Sequence, residues 1–93
     1  MKAVFRLNAG KSYGIGHLSR NLVLSESLNK KGIETQFLIK SDNFDFIKKF
    51  VEGFKKIDFK LIQNSISLVK DLNIIKENCK EDNFLIIDHY EHN

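Results

Sequence analysis

The residues best suited to chemistry lie in one short stretch, RLNAGKSYGIGHLSR, at positions 6–20. His17 and Arg20 stand three residues apart, directly after Gly14 and Gly16. Histidine readily accepts and returns a proton near neutral pH, and arginine binds carboxylate and phosphate groups. The stretch is therefore a candidate for acid–base chemistry beside an anionic group.

Two nucleotide-binding patterns are also partly present in this stretch. The tripeptide GKS at 10–12 matches the end of the Walker A pattern, but Phe5 stands where its first glycine belongs. The residues GIGHLS at 14–19 nearly match the dinucleotide pattern G-x-G-x-x-G. That pattern needs an acidic residue at the end of the second strand, and Asp42 comes slightly late for this role. Spacing argues against the first pattern, and the second is a weak match.

The hydrophobic pattern of the whole chain predicts strands and helices in alternation. Strands are expected at 2–7, 35–40, 84–88 and within 56–62, and helices at about 17–31, at 44–53 and from Ser65 to about 80. The candidate stretch therefore joins a first strand to a first helix through a glycine-rich loop at 8–16.

Capping residues and apolar stripes define the three predicted helices. Asn43 and Ser65 are expected to cap the second and third helices, and Gly32 and Gly53 to end the first and second. The expected buried faces are Leu18, Leu22, Ser25 and Leu28 in the first helix, Phe46, Ile47 and Phe50 in the second, and Leu68, Val69, Leu72, Ile75 and Cys79 in the third.

This alternation predicts an α/β fold for residues 1–93, a single Rossmann-like domain with a four-stranded parallel sheet in the order 3-2-1-4. In that order the first and fourth strands are neighbours, and their connections leave to opposite sides. Ligands of such sheets bind in the crevice that this arrangement creates. The loop at 8–17 and the segment at 88–93 should both open into it.

The composition is that of an ordinary globular protein, with 42% hydrophobic and 29% charged residues. The net charge of +3 comes mainly from lysine pairs at 30–31, 48–49 and 55–56, without an aromatic platform, so no nucleic-acid partner is expected. The single cysteine, Cys79, excludes an internal disulfide framework. No apolar run suits a signal peptide or a membrane span, so a cytoplasmic location without membrane association is expected.

His17 is expected in the first turn of its helix, at the floor of the crevice. The positive end of a helix disfavours an imidazolium, so the ring should be neutral and able to accept a proton. Arg20 lies on the same side of the helix and could hold an anionic group. A helix-capping histidine beside a surface arginine is the alternative interpretation.

Two segments match a known family. The first is the GIGH loop at 14–17, followed by two residues, Arg20 and a leucine-rich helix that ends in Lys-Gly. The second is FLIIDHY at 84–90, with its aspartate, histidine and tyrosine after the fourth strand. Together they resemble the UDP-2,4-diacetamido-2,4,6-trideoxy-β-L-altropyranose hydrolases of pseudaminic acid biosynthesis and the related spore-coat polysaccharide proteins.

The resemblance implies one half of a two-domain GT-B architecture and hydrolysis of the bond between a sugar's anomeric carbon and UDP. By that similarity, His17 is the general base that deprotonates the attacking water. The residues expected to bind the UDP-sugar are Asn8, Gly14, Gly16, Arg20, Asp88, His89 and Tyr90. Neither a metal nor another cofactor is implied, because helix N-termini and backbone donors can stabilise the leaving diphosphate.

The chain departs from the family in two respects. The family often has an R-x-D pattern at the first strand, where this chain carries Asn8, which keeps hydrogen bonding but lacks the charge. The resemblance also covers only the first half of the family's amino-terminal domain. The isolated chain is therefore expected to lack hydrolase activity.

Other interpretations stay open at this point. The same loop would serve a GT-B glycosyltransferase that uses an acceptor hydroxyl, or a non-catalytic Rossmann-like binding module. Asp88, His89 and His92 could form a metal site. The apolar run FLII at 84–87 predicts homodimer formation along the exposed edge of the fourth strand.

Overall fold

The computed structural model describes residues 2–11, 13–54, 57–63, 65–79 and 83–88. The elements in chain order are β1 Lys2–Asn8, α1 Gly16–Lys30, β2 Glu34–Ser41, α2 Phe44–Val51, β3 Asp58–Gln63, α3 Leu68–Asn78 and β4 Phe84–Asp88. The predicted alternation of strands and helices is confirmed, and β4 has the predicted bounds.

The four strands form one sheet in the order β3-β2-β1-β4, and every neighbouring pair is parallel. At the centre of the sheet, Phe5 of β1 is paired with Phe37 of β2 and with Ile86 of β4. The predicted α/β Rossmann-like fold is confirmed. The carboxyl ends of β1 and β4 are adjacent, as the crevice prediction requires.

One face of the sheet packs against α1 and α2. Leu18 and Leu22 of α1 are fully buried against alternate residues of β1 and β2, and the rings of Phe5 and Phe37 stack 4.6 Å apart. The burial of Leu18 and Leu22 confirms the buried face predicted for α1. Gly32 has a φ of +84°, so the predicted left-handed end of α1 is confirmed as well.

The predicted cap of α2 is confirmed, while its buried face and its end differ from the prediction. The Asn43 side chain accepts a hydrogen bond from the Phe46 backbone N–H at 3.0 Å. Ile47 is buried as expected, but Val51 shares the buried face and Phe46 is exposed. The helix ends at Val51 rather than at Gly53, and Gly53 follows in a turn.

The other face of the sheet is covered by α3, whose predicted start was wrong and whose predicted buried face is confirmed only at Ile75 and Cys79. Ser67, not Ser65, is the N-cap and accepts from the Lys70 backbone N–H at 3.3 Å. The helix starts later because Ile66 packs into the cluster of Val4, Leu38 and Ile62 before the helical turns begin. Ile74, Ile75 and Cys79 pack on the same cluster.

Three of the five residues predicted for the buried face of α3 are exposed. Leu68, Val69 and Leu72 are 74%, 68% and 55% exposed. The side facing the sheet includes the predicted Ile75 and also Asp71, which lies one helical turn away. Asp71 forms an ion pair with the buried Arg6 of β1. Leu68 and Leu72 lie beside this pair and line an open depression together with Ile87.

Strand β4 has only one neighbour, β1, among the described strands. Phe84 and Ile87 are 38% and 56% exposed. Association of two copies along this edge stays a prediction. In the part of the chain that the structure describes, no helix combines the length and apolarity that crossing a membrane requires.

Candidate functional site

The candidate site lies at the carboxyl edge of the sheet, where β1 and β4 end side by side. Leu7 is paired with Asp88, so Asn8 and Asp88 both stand at this edge. The glycine-rich loop leaves β1 at the same edge and leads into α1. His89 and Tyr90, which were expected to complete the site, lie outside the described residues, so their proximity to His17 stays a prediction.

The glycine loop is held closed by its own backbone. Gly10 N–H donates to Gly14 O at 3.1 Å, and Gly14 N–H donates to Gly10 O at 2.8 Å. The Ala9 N–H donates to Lys40 O, which extends the pairing of β1 with β2. These hydrogen bonds fix both ends of the turn, and they thereby fix the position at which α1 begins.

Asp42 anchors this loop to the end of β2. Its Oδ1 accepts a hydrogen bond from the Lys11 backbone N–H at 3.0 Å. Gly10 lies so close that a Cβ atom there would collide with Asp42 Oδ1 and approach Ser41 Oγ to 2.8 Å. A dinucleotide site needs an acidic residue here for the ribose. Asp42 instead binds the loop backbone, a role that sequence analysis missed.

We expect Gly10→Ala to destabilise the fold by about 2–4 kcal/mol. The backbone φ of +142° is strained for any residue with a Cβ, which costs about 1–3 kcal/mol, and displacing Asp42 leaves the Lys11 N–H without this acceptor. Urea unfolding followed by circular dichroism measures the change.

Gly16→Ala is the matched control, because a Cβ at that position meets no atom of the described part of the chain within 4 Å. We expect its unfolding free energy to stay within about 1 kcal/mol of the wild type. If the two variants had equal unfolding midpoints, the steric requirement at Gly10 would be disproved.

The space in front of α1 is open with respect to the residues that the structure describes. Among them, none would lie within 4 Å of an added Cβ at Gly14 or at Gly16. Gly14 has a φ of +80°, which explains glycine there, but neither its backbone φ nor packing explains Gly16. The N-cap residue, Ile15, supplies no side-chain cap. A ligand could therefore approach the backbone here, and the amino end of the helix favours an anionic one.

His17 and Arg20 meet on the first turns of α1. Arg20 Nη2 lies 2.9 Å from His17 Nδ1, so the predicted placement of both side chains on one side of the helix is confirmed. Arg20 is exposed and His17 is half-buried. A guanidinium group can only donate hydrogen bonds, which makes Nδ1 the acceptor and places the hydrogen of the neutral ring on Nε2.

Asn8 belongs to a buried network centred on Arg6, whose side chain is almost completely buried. Arg6 Nε and Nη2 donate to the two carboxylate oxygens of Asp71 at 2.9 and 2.6 Å. Arg6 Nη1 donates to Leu7 O and to Asn8 Oδ1, both at 2.8 Å. These bonds fix the orientation of the Asn8 amide, and its buried Nδ2 has no hydrogen-bond partner among the described residues.

The predicted site residues therefore lie on two sides of the sheet. Side chains alternate along a strand, so Asn8 shares a face with Arg6 and α3, while Leu7 faces α1. His17 and Arg20 belong to α1 on the opposite side. Arg6 and Asp71 were not among the predicted site residues. The sequence signal was a lone arginine in an apolar strand.

A different edge of the sheet carries an open depression of about 560 Å³, lined by residues that include Lys2, Glu34 and Asp58. These residues lie at the amino ends of the strands, opposite the glycine loop. Ligands of parallel α/β sheets bind at the carboxyl ends of the strands. We therefore place the candidate site at the glycine loop rather than in this depression.

Within the described ranges, no three histidine, cysteine or acidic side chains lie close enough to hold a metal ion. The alternative metal site proposed from Asp88, His89 and His92 includes residues outside those ranges. Comparisons with models of protein families, with curated proteins and with solved structures found no match. The family resemblance therefore rests on the residues of the two sequence segments alone.

Proposed function

We propose that this chain is the amino-terminal part of a nucleotide-sugar hydrolase that releases UDP from a diacetamido-trideoxy sugar. The resemblance of the GIGH and FLIIDHY segments supplies the activity and the substrate. The observation that carries the proposal is the position of His17, beside the open space at Gly14 and Gly16 and in contact with Arg20. A proton acceptor and a cation at the amino end of a helix suit the hydrolysis of an anionic substrate.

In the proposed reaction, a water molecule attacks the anomeric carbon while its proton passes to His17. The bond between that carbon and the β-phosphate oxygen breaks, and its electron pair leaves with UDP. Arg20 and the amino end of α1 stabilise the negative charge of the diphosphate. Asp88, His89 and Tyr90 are proposed for the sugar side of the cleft.

The test is UDP release from the UDP-linked diacetamido sugar, measured with the complete gene product that contains this chain. We expect turnover that continues in the presence of a chelator, because no step uses a metal. Residues 1–93 alone are expected to be inactive. Transfer of the sugar to an added acceptor hydroxyl in preference to water would replace the hydrolase assignment with the glycosyltransferase one.

A further inference from the structure

The contact between Arg20 and His17 determines which nitrogen of the histidine can take up a proton. Arg20 Nη2 donates to Nδ1 over 2.9 Å, and arginine has no hydrogen-bond acceptor. A neutral imidazole carries one hydrogen, which must then reside on Nε2. The basic lone pair of His17 is therefore on Nδ1, and Arg20 covers it.

We propose that Arg20 is a positioning residue that holds Nδ1 of His17 as the proton-accepting nitrogen and uncovers it when an anionic group of the substrate binds the guanidinium. This inference rests on the proposed function, in which His17 is the base. It adds a control step, because the base becomes available to water only after the diphosphate has bound.

The energetic argument is a competition for Arg20. A guanidinium binds phosphate oxygens through charge-assisted and often bidentate hydrogen bonds, which are roughly twice as strong as hydrogen bonds between neutral groups. The contact with the imidazole, which this exchange gives up, is made to a neutral acceptor. The amino end of α1 favours an anion at this position, and Arg20 is exposed, so its guanidinium is accessible to that anion.

The proton then follows one route. Water gives its proton to Nδ1 as its oxygen bonds to the anomeric carbon, and Nε2 keeps the hydrogen that it already carries. The resulting imidazolium has both nitrogens protonated, and it loses the Nδ1 proton to solvent after UDP has left. Arg20 can return to Nδ1 only after that loss.

The experiment is long-range ¹H–¹⁵N NMR of the histidine rings in the 93-residue chain, with inorganic pyrophosphate as the probe. His17→Gln assigns the signals of His17 among those of the three histidines. Arg20→Met removes the donor and retains a long side chain. Lys30→Met is the matched control, since it removes a cation from the far end of the same helix.

In the wild type and in Lys30→Met we expect an unprotonated Nδ1 whose signal is shifted upfield from that of Arg20→Met by the hydrogen bond. Pyrophosphate should move the wild-type signal to the Arg20→Met position and leave Arg20→Met unchanged. A protonated Nδ1, equal Nδ1 shifts in the wild type and Arg20→Met, or no response to pyrophosphate would each overturn the proposal.

The nitrogen chemical shifts of His17 are measured without turnover. They therefore test the role of Arg20 independently of the proposed hydrolase activity. If the complete protein failed to release UDP while the pyrophosphate response occurred, the hydrolase assignment would fail and the control of His17 by Arg20 would stand. If UDP were released without the pyrophosphate response, the hydrolase assignment would stand and the role of Arg20 would be disproved.

Discussion

Asp71→Ala is expected to lower the unfolding free energy by about 3–5 kcal/mol, because it leaves the Arg6 guanidinium buried without its counter-ion. Arg6 is only 1% exposed, and Asp71 accepts hydrogen bonds from two of its nitrogens. A small domain has a total stability of about 5–15 kcal/mol, so the variant should be largely unfolded at modest urea concentrations. Urea titration followed by circular dichroism measures this change in unfolding free energy.

Asp58→Ala is the matched control, since Asp58 is an exposed carboxylate of β3. We expect it to change the unfolding free energy by less than about 0.5 kcal/mol. An equal loss in both variants would show that the ion pair has no special role.

A double variant that replaces both charged residues distinguishes the contribution of the ion pair from that of the volume its side chains occupy. We expect the double variant Arg6→Met with Asp71→Leu to recover part of the stability lost in Asp71→Ala, because apolar residues of similar volume leave no unpaired charge. Recovery should be incomplete, since Leu7 O and Asn8 Oδ1 each lose the hydrogen bond from Arg6. A double variant less stable than Asp71→Ala would contradict this explanation.

His17→Ala is expected to reduce the turnover of UDP-sugar by the complete protein by about 10²–10⁴-fold, which is the usual contribution of a general base. UDP binding should change little, because the imidazole acts on water rather than on the nucleotide. Steady-state UDP release gives kcat and KM, and calorimetry with UDP gives the binding constant.

Glu26→Ala is the matched control for His17→Ala, because Glu26 is an exposed residue of the same helix outside the candidate site. Its kcat should equal that of the wild type. Unfolding midpoints of both variants should lie close to the wild type, since His17 is only half-buried. A His17→Ala protein with wild-type kcat would eliminate the general-base role.

Local patterns in the sequence were sufficient to predict the order and type of the elements. Strand and helix periods repeat within a few residues, so each element could be recognised from its own segment. Asn43 and Gly32 act within one turn of their helix ends, and both were assigned correctly. Parallel strands joined by helices permit few topologies, and the order β3-β2-β1-β4 followed.

The buried face of α3 was predicted only in part. Ile75 and Cys79 pack on the sheet as predicted, while Leu68 and Leu72 of the same predicted face are exposed. The side of the helix that faces the sheet also carries Asp71, whose contact with Arg6 spans 65 positions in the chain. A contact between residues so far apart in the chain leaves no periodic pattern in the sequence, so it cannot be predicted from any short segment.

The same distinction between local and long-range contacts applies to the candidate site. The sequence by itself determined that His17 and Arg20 lie on one side of a helix, because a spacing of three residues fixes that geometry locally. Only the tertiary structure decided that Asn8 faces α3 rather than α1 and that Asp42 holds the glycine loop. Both contacts depend on which strand end lies beside which loop, and that proximity arises only when the whole sheet has assembled.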